Sequence, residues 1–190
     1  LIARASKHEE AKGIIAQSEA QLREILADNI WGFDSNTLEG AVGALLAEKG
    51  LTLATMESFT GGFLANTLTD ALKSSAYYKG GIIAYSNEAK ITLGVDAQLI
   101  AQFGAISAEV AEAMAIAARK LLIVNIGVGI TGVAGPDKIE GKAPGSVYIA
   151  ICDDRGKWIR NWNFPPHFQL KHRTAVATLF GLRQRLLSLD

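Results

Sequence analysis

Two hydroxyl side chains, Ser58 and Thr60, occupy a turn whose position in the chain favours chemistry. The turn, ESFTGG (57–62), follows an apolar run, Leu51–Thr55, that is typical of a buried strand. It precedes FLANTLTDAL, which has apolar residues at helical spacing. Its two glycines let the backbone approach a ligand closely. The first amides of a helix lack intrahelical partners and favour an anion or a developing oxyanion. A serine in this turn could act as a nucleophile if a neighbouring group takes its proton.

Histidine is the usual group that activates a serine, and this chain has few histidines. His8 belongs to a predicted N-terminal helix, while His167 and His172 lie near the start of the predicted last helix, about 168–188. None of them falls on a loop that follows a predicted strand. The activating group must therefore be of another type.

Lys90 is the predicted general base. It lies just past a predicted strand, Gly81–Tyr85, and a lysine partly desolvated by apolar neighbours can lose its proton near neutral pH. Tyr85, five residues earlier, could hydrogen-bond either Ser58 or Lys90 and hold the pair in line. The chain thus carries the parts of a Ser–Lys pair that needs no histidine.

Three segments are expected to converge at the carboxyl ends of neighbouring strands, where ligands bind in open α/β sheets. They are the turn 57–62, the segment 85–90 and the glycine-rich loop 131–145. Glu57 in the first segment and Asn87 in the second are therefore predicted to contribute to substrate binding. The third segment, at about fifteen residues, is longer than most connections, and such loops are often functional.

Each of these residues also has a plainer interpretation. A serine before Thr-Gly-Gly is typical of a helix cap, and a lysine after a strand is usually solvated. Asp137 and Lys142 could be solvated loop charges, and Asn87 could belong to a turn. Cys152 lies within an apolar run and is expected in the core.

The alternation of apolar runs and helical patterns predicts the fold. From residue 51 onward, strands alternate with helices, which is typical of an α/β sandwich. The last two predicted strands, Ser146–Cys152 and Trp158–Phe164, are separated by a short turn and should form an antiparallel hairpin. We expect a three-layer α/β/α sandwich with a mixed, mostly parallel sheet in residues 34–190, and an N-terminal helical extension in residues 1–33.

Composition limits the classes of partner. The chain has 190 residues, 49% hydrophobic and 20% charged, and 19 basic residues balance 19 acidic ones. Proteins that bind a phosphate backbone usually carry a basic excess, so nucleic acid is an unlikely main partner. A lone cysteine suits a reducing, cytoplasmic location, and no apolar run reaches the length of about 18 residues needed to span a membrane.

Five stretches, taken in order, resemble the C-terminal domain of the CinA (competence/damage-inducible) family, which is also found alone as a nicotinamide mononucleotide deamidase of the PncC type. The stretches are LATMESFTGGFLANTLTD, SSAYYKGGIIAYSNEAKITLGV, FGAISAEVAEAMA, GITGVAGPD and GSVYIAI. The resemblance covers residues 37 to 187. It implies that residues 1–33 are the tail of the middle region of full-length CinA proteins.

The resemblance implies hydrolysis of the carboxamide of nicotinamide mononucleotide to nicotinic acid mononucleotide and ammonia, in pyridine nucleotide salvage, with no metal and no organic cofactor. Ser58 matches the family's nucleophile, Lys90 its general base and Tyr85 a tyrosine of the same pocket. The positions expected to hold the oxyanion, the nucleotide or the pocket walls are Thr60, Gly61, Gly62, Thr131, Gly132, Gly135 and Asp137.

The chain departs from the family pattern at a few positions. Phe59 replaces the usual cysteine after the serine, Lys73 replaces a glycine, and Lys138 and Ile139 replace two glycines of the second loop. The change in the loop favours an alternative function, a catalytically impaired nucleotide-binding or assembly module of a larger CinA protein. The apolar helix faces and the hairpin edge further suggest a homodimer.

Overall fold

The structure is a computed structural model that describes residues 1–165 and 169–189 of the chain. The chain divides into two compact units, Leu1–Asn36 and Thr37–Asp190. The boundary predicted between residues 33 and 34 falls within the first unit. Residues 166–168, which include His167 and the predicted start of the last helix, lie outside the described residues.

The first unit contains one long helix, α1 (His8–Leu26), followed by a 3₁₀ turn at Ala27–Asn29. Glu9 lies in the first turn of α1 and Arg23 in its last. These charges match the partial positive charge at a helix N-terminus and the partial negative charge at its C-terminus. Helix α1 is the N-terminal helix predicted from the sequence.

The second unit alternates helices and strands. Its helices are α2 (Leu38–Glu48), α3 (Phe63–Asp70), α4 (Asn87–Thr92), α5 (Ala97–Phe103), α6 (Ala108–Leu121) and α7 (Leu170–Leu187), with a 3₁₀ turn at Ser74–Ala76. Its strands are β1 (Leu53–Glu57), β2 (Tyr78–Ile83), β3 (Ile126–Gly132), β4 (Ser146–Cys152) and β5 (Lys157–Asn163). Short polar side chains begin four of the helices by accepting a hydrogen bond from the first turn: Thr37, Ser86, Asp96 and Ser107.

The five strands form one sheet in the order β2-β1-β3-β4-β5. β1 pairs in parallel with β2 and β3, whereas β3–β4 and β4–β5 are antiparallel. The predicted α/β fold with a mixed sheet and the predicted β4–β5 hairpin are confirmed, and parallel and antiparallel pairs are equal in number. Because β2, β1 and β3 run the same way, the three segments that follow them leave the sheet at one edge.

Helices cover both faces of the sheet. On one face, α2, α3 and α7 pack against strand residues such as Leu53, Val128 and Ile149. On the other face, α5 and α6 pack against Ala54 and Met56 of β1. These two cores give the three layers that the sequence pattern predicts. In the part of the chain that the structure describes, no helix combines the length and the apolar character needed to cross a membrane.

Helix α6 approaches β3 unusually closely, because β3 carries glycines where the helix crosses it. A Cβ added at Gly127 would lie 1.9 Å from the Ala115 carbonyl oxygen, and one at Gly129 would lie 2.0 Å from the Ala111 carbonyl oxygen. Only glycine permits this approach. The close packing fixes the turn before α6 (104–107) beside the carboxyl end of β3.

Candidate functional site

Ser58 and Lys90 meet at the carboxyl edge of the sheet. Ser58 is the first residue after β1, and its amide donates to the Ile130 carbonyl of β3. Lys90 lies on α4, which follows β2. Lys90 Nζ is 3.3 Å from Ser58 Oγ, and the two residues are 2% and 7% exposed. The serine and lysine predicted from the sequence therefore form a buried, hydrogen-bonded pair.

Burial makes Lys90 easier to deprotonate than an exposed lysine. Burial lowers the pKa of Lys90 below its usual value, while the acidic groups Glu140 and Glu88 act in the opposite direction. Nζ is also within 3.1 Å of the Tyr85 carbonyl and 3.5 Å of the Ser86 carbonyl. A neutral amine has two N–H donors and one lone pair. If the two N–H groups bind these carbonyls, the lone pair is left for the Ser58 hydroxyl proton.

Tyr85 contributes to this pair through its backbone. Its carbonyl oxygen accepts from Lys90 Nζ and lies 3.5 Å from Ser58 Oγ. The residue as a whole is 73% exposed, because β2 ends at Ile83 and the chain has left the sheet. The structure thus shows the Tyr85 carbonyl in the site, whereas a role for its phenol stays a prediction.

Glu57, predicted to bind substrate, holds the start of α3. It is 1% exposed, and its carboxylate oxygens accept from the amides of Leu64 at 3.1 Å and Ala65 at 2.8 Å. A carboxylate at a helix N-terminus satisfies orphan amides and matches the helix dipole. Glu57 therefore positions the turn that carries Ser58, with both oxygens already engaged.

The turn after Ser58 depends on its two glycines. Gly61 and Gly62 have φ values of 63° and 90°, in the left-handed region that favours glycine. The Gly61 amide donates to the Ser58 carbonyl. Among the described residues, the amides of Phe59, Thr60 and Gly62 donate no hydrogen bond. These amides are the available donors for an oxyanion in this turn.

The hydroxyl of Thr60 is buried and has no partner among the described residues. The residue is 1% exposed, and its Oγ1 makes no hydrogen bond within the part of the chain that is described. Leaving a buried polar group unpaired costs about 1–3 kcal/mol. Such a group in a turn with free amides is a natural place for an additional acceptor or donor to bind.

The second predicted loop is brought to the same edge, but its residues differ in their surroundings. Thr131 is buried, and its hydroxyl donates to the Ala105 carbonyl at 2.8 Å. Gly132 packs tightly, since an added Cβ would lie 2.8 Å from Cε1 of Phe59. Gly135 has open space around it. Asp137 is exposed, as is Asn87 at the start of α4, so a direct role for either stays a prediction.

Two charged residues near the site were not predicted from the sequence. Glu140, in the second loop, accepts hydrogen bonds from the amides of Ala105 and Ile106. Lys171, at the start of α7, lies beside Gly61, where an added Cβ would be 3.5 Å from its Nζ. Glu140 was not marked by the sequence, because glutamate before glycine is not a typical pair for a two-residue hairpin turn. No local pattern marks Lys171.

A cavity of about 600 Å³ lies next to this part of the molecule. It is lined by Phe63 at the start of α3, by Ala134 in the second loop and by residues 169–172 at the start of α7. Lys171 is therefore shared between this cavity and the glycine turn. A larger cavity, of about 730 Å³, has Cys152 and Lys157 in its lining and lies at the other end of β4.

Three other side chains of the described residues carry groups that could do chemistry. Cys152 is buried as predicted, and burial raises the pKa of its thiol to about 11, so it stays protonated at neutral pH. His8 lies on α1, and His172 on α7 packs edge-on against Phe63. Within the described residues, no three His, Cys, Asp or Glu side chains are grouped to hold a metal ion.

Comparison with known proteins identifies the family. Residues 35–186 match the model of the CinA C-terminal domain. The chain belongs to the CinA family. It is 44% identical to a CinA-like protein of Geobacter sulfurreducens over 99% of this chain and 46% of that protein, and 45% identical to one of Acaryochloris marina over 97% and 45%. The chain therefore spans about half the length of these relatives.

Solved structures of the CinA superfamily have the same fold. A protein from Klebsiella pneumoniae matches with a TM-score of 0.76 and 27% identity, over 80% of this chain and 96% of that one. A competence/damage-inducible protein from Agrobacterium tumefaciens matches with a TM-score of 0.69 and 28% identity, over 83% and 99%. The CinA region includes Ser58, Lys90 and both loops, so the whole candidate site lies within the shared domain.

Proposed function

We propose that this CinA domain is a serine amidohydrolase that converts nicotinamide mononucleotide to nicotinic acid mononucleotide and ammonia. The observation that carries the proposal is the 3.3 Å contact between Ser58 Oγ and a Lys90 amine that is 2% exposed. A lysine so shielded from water can act as a general base near neutral pH.

In the first half of the reaction, the neutral Lys90 amine accepts the Ser58 proton as Oγ attacks the carboxamide carbon. The carbonyl oxygen becomes an oxyanion, for which the free amides of Thr60 and Gly62 are the proposed donors. One such donor is typically worth about 3 kcal/mol of barrier. The Lys90 ammonium then gives its proton to the amide nitrogen, the C–N bond breaks and ammonia leaves.

In the second half, water hydrolyses the ester on Ser58. Lys90, neutral again, takes a proton from the water as its oxygen attacks the acyl carbon, and returns that proton to Ser58 Oγ as the ester bond breaks. The carboxylic acid formed loses its remaining proton to solvent and becomes a carboxylate, and both residues regain their starting states. The proton transfers of the cycle need only Ser58 and Lys90, which are already in hydrogen-bond contact.

Binding of the nucleotide is proposed along the glycine turn and the adjoining cavity. The phosphate carries two negative charges at neutral pH, and Lys171 supplies a positive charge beside Gly61. The orphan hydroxyl of Thr60 offers a further hydrogen bond. The turn, the lysine and the cavity together support an anionic, nucleotide-sized substrate rather than free nicotinamide.

The proposal is tested by incubating the purified chain with nicotinamide mononucleotide, measuring ammonia and identifying the nucleotide product. Release of equal amounts of ammonia and nicotinic acid mononucleotide is the expected result. Nicotinamide and nicotinamide riboside serve as comparison substrates and should be poorer. Absence of ammonia from the mononucleotide at every pH tested would refute the proposal.

The alternative is a nucleotide-binding module without activity. It is favoured by Lys138 and Ile139, which replace two glycines of the family pattern in the second loop. Calorimetry distinguishes the two functions, because the module would bind the mononucleotide without releasing ammonia.

A further inference from the structure

The long loop after β3 contains a miniature hairpin. The amide of Ile139 donates to the Lys142 carbonyl at 3.1 Å, and the Lys142 amide donates back at 2.9 Å. Between them, Glu140 and Gly141 have φ values of 51° and 74°. Two successive residues with positive φ are typical of a type I′ turn. A glutamate seldom adopts this conformation, so the position of Glu140 calls for a compensating interaction.

This interaction is a bidentate contact between the Glu140 carboxylate and two backbone amides of the turn before α6. Glu140 Oε1 accepts from the Ala105 amide at 2.9 Å, and Oε2 accepts from the Ile106 amide at 3.0 Å. The Ala105 carbonyl, in turn, accepts from the Thr131 hydroxyl at 2.8 Å. The loop is therefore fastened to this turn both where it leaves β3 and at the tip of its hairpin. Hydrogen bonds to a charged acceptor are among the stronger ones.

The same carboxylate acts on Lys90. Two acidic groups, Glu140 and Glu88, oppose the effect of burial on the pKa of Lys90, and Glu140 has the larger effect. Glu88 lies on the same helix as Lys90, whereas Glu140 comes from the loop. The loop thus brings to the site a negative charge that would leave if the loop moved away.

We propose that Glu140 is a positioning residue of the Ser58–Lys90 site, because its carboxylate both fastens the loop to the turn before α6 and holds a negative charge within electrostatic range of Lys90. A docked loop stabilises the ammonium that forms when Lys90 takes the Ser58 proton. When the loop is not docked, the Lys90 ammonium loses the stabilisation that the Glu140 carboxylate provides. The effect on rate rests on the proposed amidase function, but the docking and the charge can be measured without substrate.

Two variants separate the parts of this proposal. Glu140→Gln removes the charge and one of the two acceptor oxygens. Glu88→Gln is the matched control, because it removes the other acidic group acting on Lys90 and leaves the two loop hydrogen bonds in place. Thermal melts confirm that both variants are folded before the comparison.

Substrate-free measurements decide the proposal. In Glu140→Gln, amide hydrogen exchange at residues 105 and 106 should accelerate about tenfold or more, and an NMR titration should show the pKa of Lys90 moving further down. In Glu88→Gln, the pKa of Lys90 should also fall, with exchange at 105 and 106 unchanged. If Glu140→Gln leaves either the exchange or the Lys90 titration at its wild-type value, the proposal is wrong.

Kinetics then test the consequence for catalysis. Glu140→Gln should lower the maximal rate of ammonia release and move the acid limb of its pH profile to lower pH. If Glu140 only anchored the loop, Glu140→Gln would lower the rate without moving the acid limb of the pH profile. That result would contradict an electrostatic effect of Glu140 on Lys90. If the wild-type chain releases no ammonia, the amidase proposal fails, while exchange and titration still decide the role of Glu140.

Discussion

Lys90 Nζ lies 3.3 Å from Ser58 Oγ, although the two residues are 32 positions apart in the chain. The contact forms because β1 and β2 are parallel neighbours, so the turn after one and the helix after the other leave the sheet side by side. The Tyr85 carbonyl lies within 3.5 Å of both side-chain atoms. The pair is thus held by backbone geometry as well as by its own hydrogen bond.

The buried lysine should give the protein a distinctive dependence of stability on pH. Burial lowers the pKa of Lys90 in the folded state, so the unfolded chain binds more protons between that pKa and the unfolded value of about 10.4. The free energy of unfolding contributed by this group therefore rises with pH through that window. Urea unfolding at a series of pH values should show wild type gaining stability relative to Lys90→Met.

Lys120→Met, at an exposed helical lysine, is the control and should keep the wild-type pH dependence. Parallel curves for wild type and Lys90→Met would contradict a lowered pKa of Lys90 in the folded protein.

Substitution by alanine should affect stability differently at Gly132 and Gly135, two glycines of the second loop. A Cβ at Gly132 would lie 2.6 Å from the Ser146 carbonyl oxygen and 2.8 Å from Cε1 of Phe59, which adjoins Ser58. Gly132→Ala should therefore cost about 1–3 kcal/mol of stability and lower ammonia release. Gly135→Ala meets nothing within 4 Å and should stay within about 0.5 kcal/mol of wild type. If urea melts show the same loss of stability in both variants, the close packing of Gly132 against Ser146 and Phe59 would be contradicted.

Lys171 should affect the choice of substrate. If its ammonium binds the phosphate, Lys171→Ala should raise the KM for nicotinamide mononucleotide about tenfold, the loss expected for one charge-assisted hydrogen bond. Its KM for nicotinamide riboside, which has no phosphate, should change little. Lys120→Ala tests for a general charge effect. A similar rise in KM for both substrates would rule out phosphate binding by Lys171.

A buried ion pair at the far end of the sheet should govern acid stability. Burial acts against the charge of Asp153, but two 2.7 Å bonds from Arg185 and the amides of Arg155 and Gly156 outweigh it and lower the pKa of Asp153. Such a group stabilises the fold above its unfolded pKa of about 3.9, and this contribution is lost as pH falls through the folded pKa. Arg185→Ala should cost about 3 kcal/mol near pH 7 and less at pH 2.

The exposed pair Lys157–Glu112 provides the comparison. Lys157→Ala should cost far less stability than Arg185→Ala near pH 7, because water screens an exposed pair. Equal losses for the two variants in urea titrations would show that burial does not set the strength of these pairs.

Much of the fold was predictable because it follows from local patterns. The limits of β4 (Ser146–Cys152) agree with the sequence prediction, since an apolar run marks them. β1 was predicted to end at Thr55 but continues to Glu57, because Met56 and Glu57 pair with Gly129 and Ile130 of β3. Pairing between strands more than 70 residues apart leaves no local signal.

The candidate site was also predictable in part. Ser58 and Lys90 could be paired because the chain offers few other bases and both follow predicted strands. The engagement of the Glu57 carboxylate by α3 could not be read from spacing, since it depends on the angle at which α3 leaves the turn. Glu140 and Lys171 act through contacts with residues distant in sequence, and only the folded chain brings those residues together.

Ammonia release by Ser58→Ala and Lys90→Ala, measured beside wild type on nicotinamide mononucleotide, tests the central claim most directly. Ser58→Ala should lose about 10³-fold or more in kcat, and Lys90→Ala should lose about 10²- to 10⁴-fold. Ser75→Ala and Lys120→Ala should retain the wild-type rate. A folded Ser58→Ala protein that releases ammonia at the wild-type rate would contradict the account.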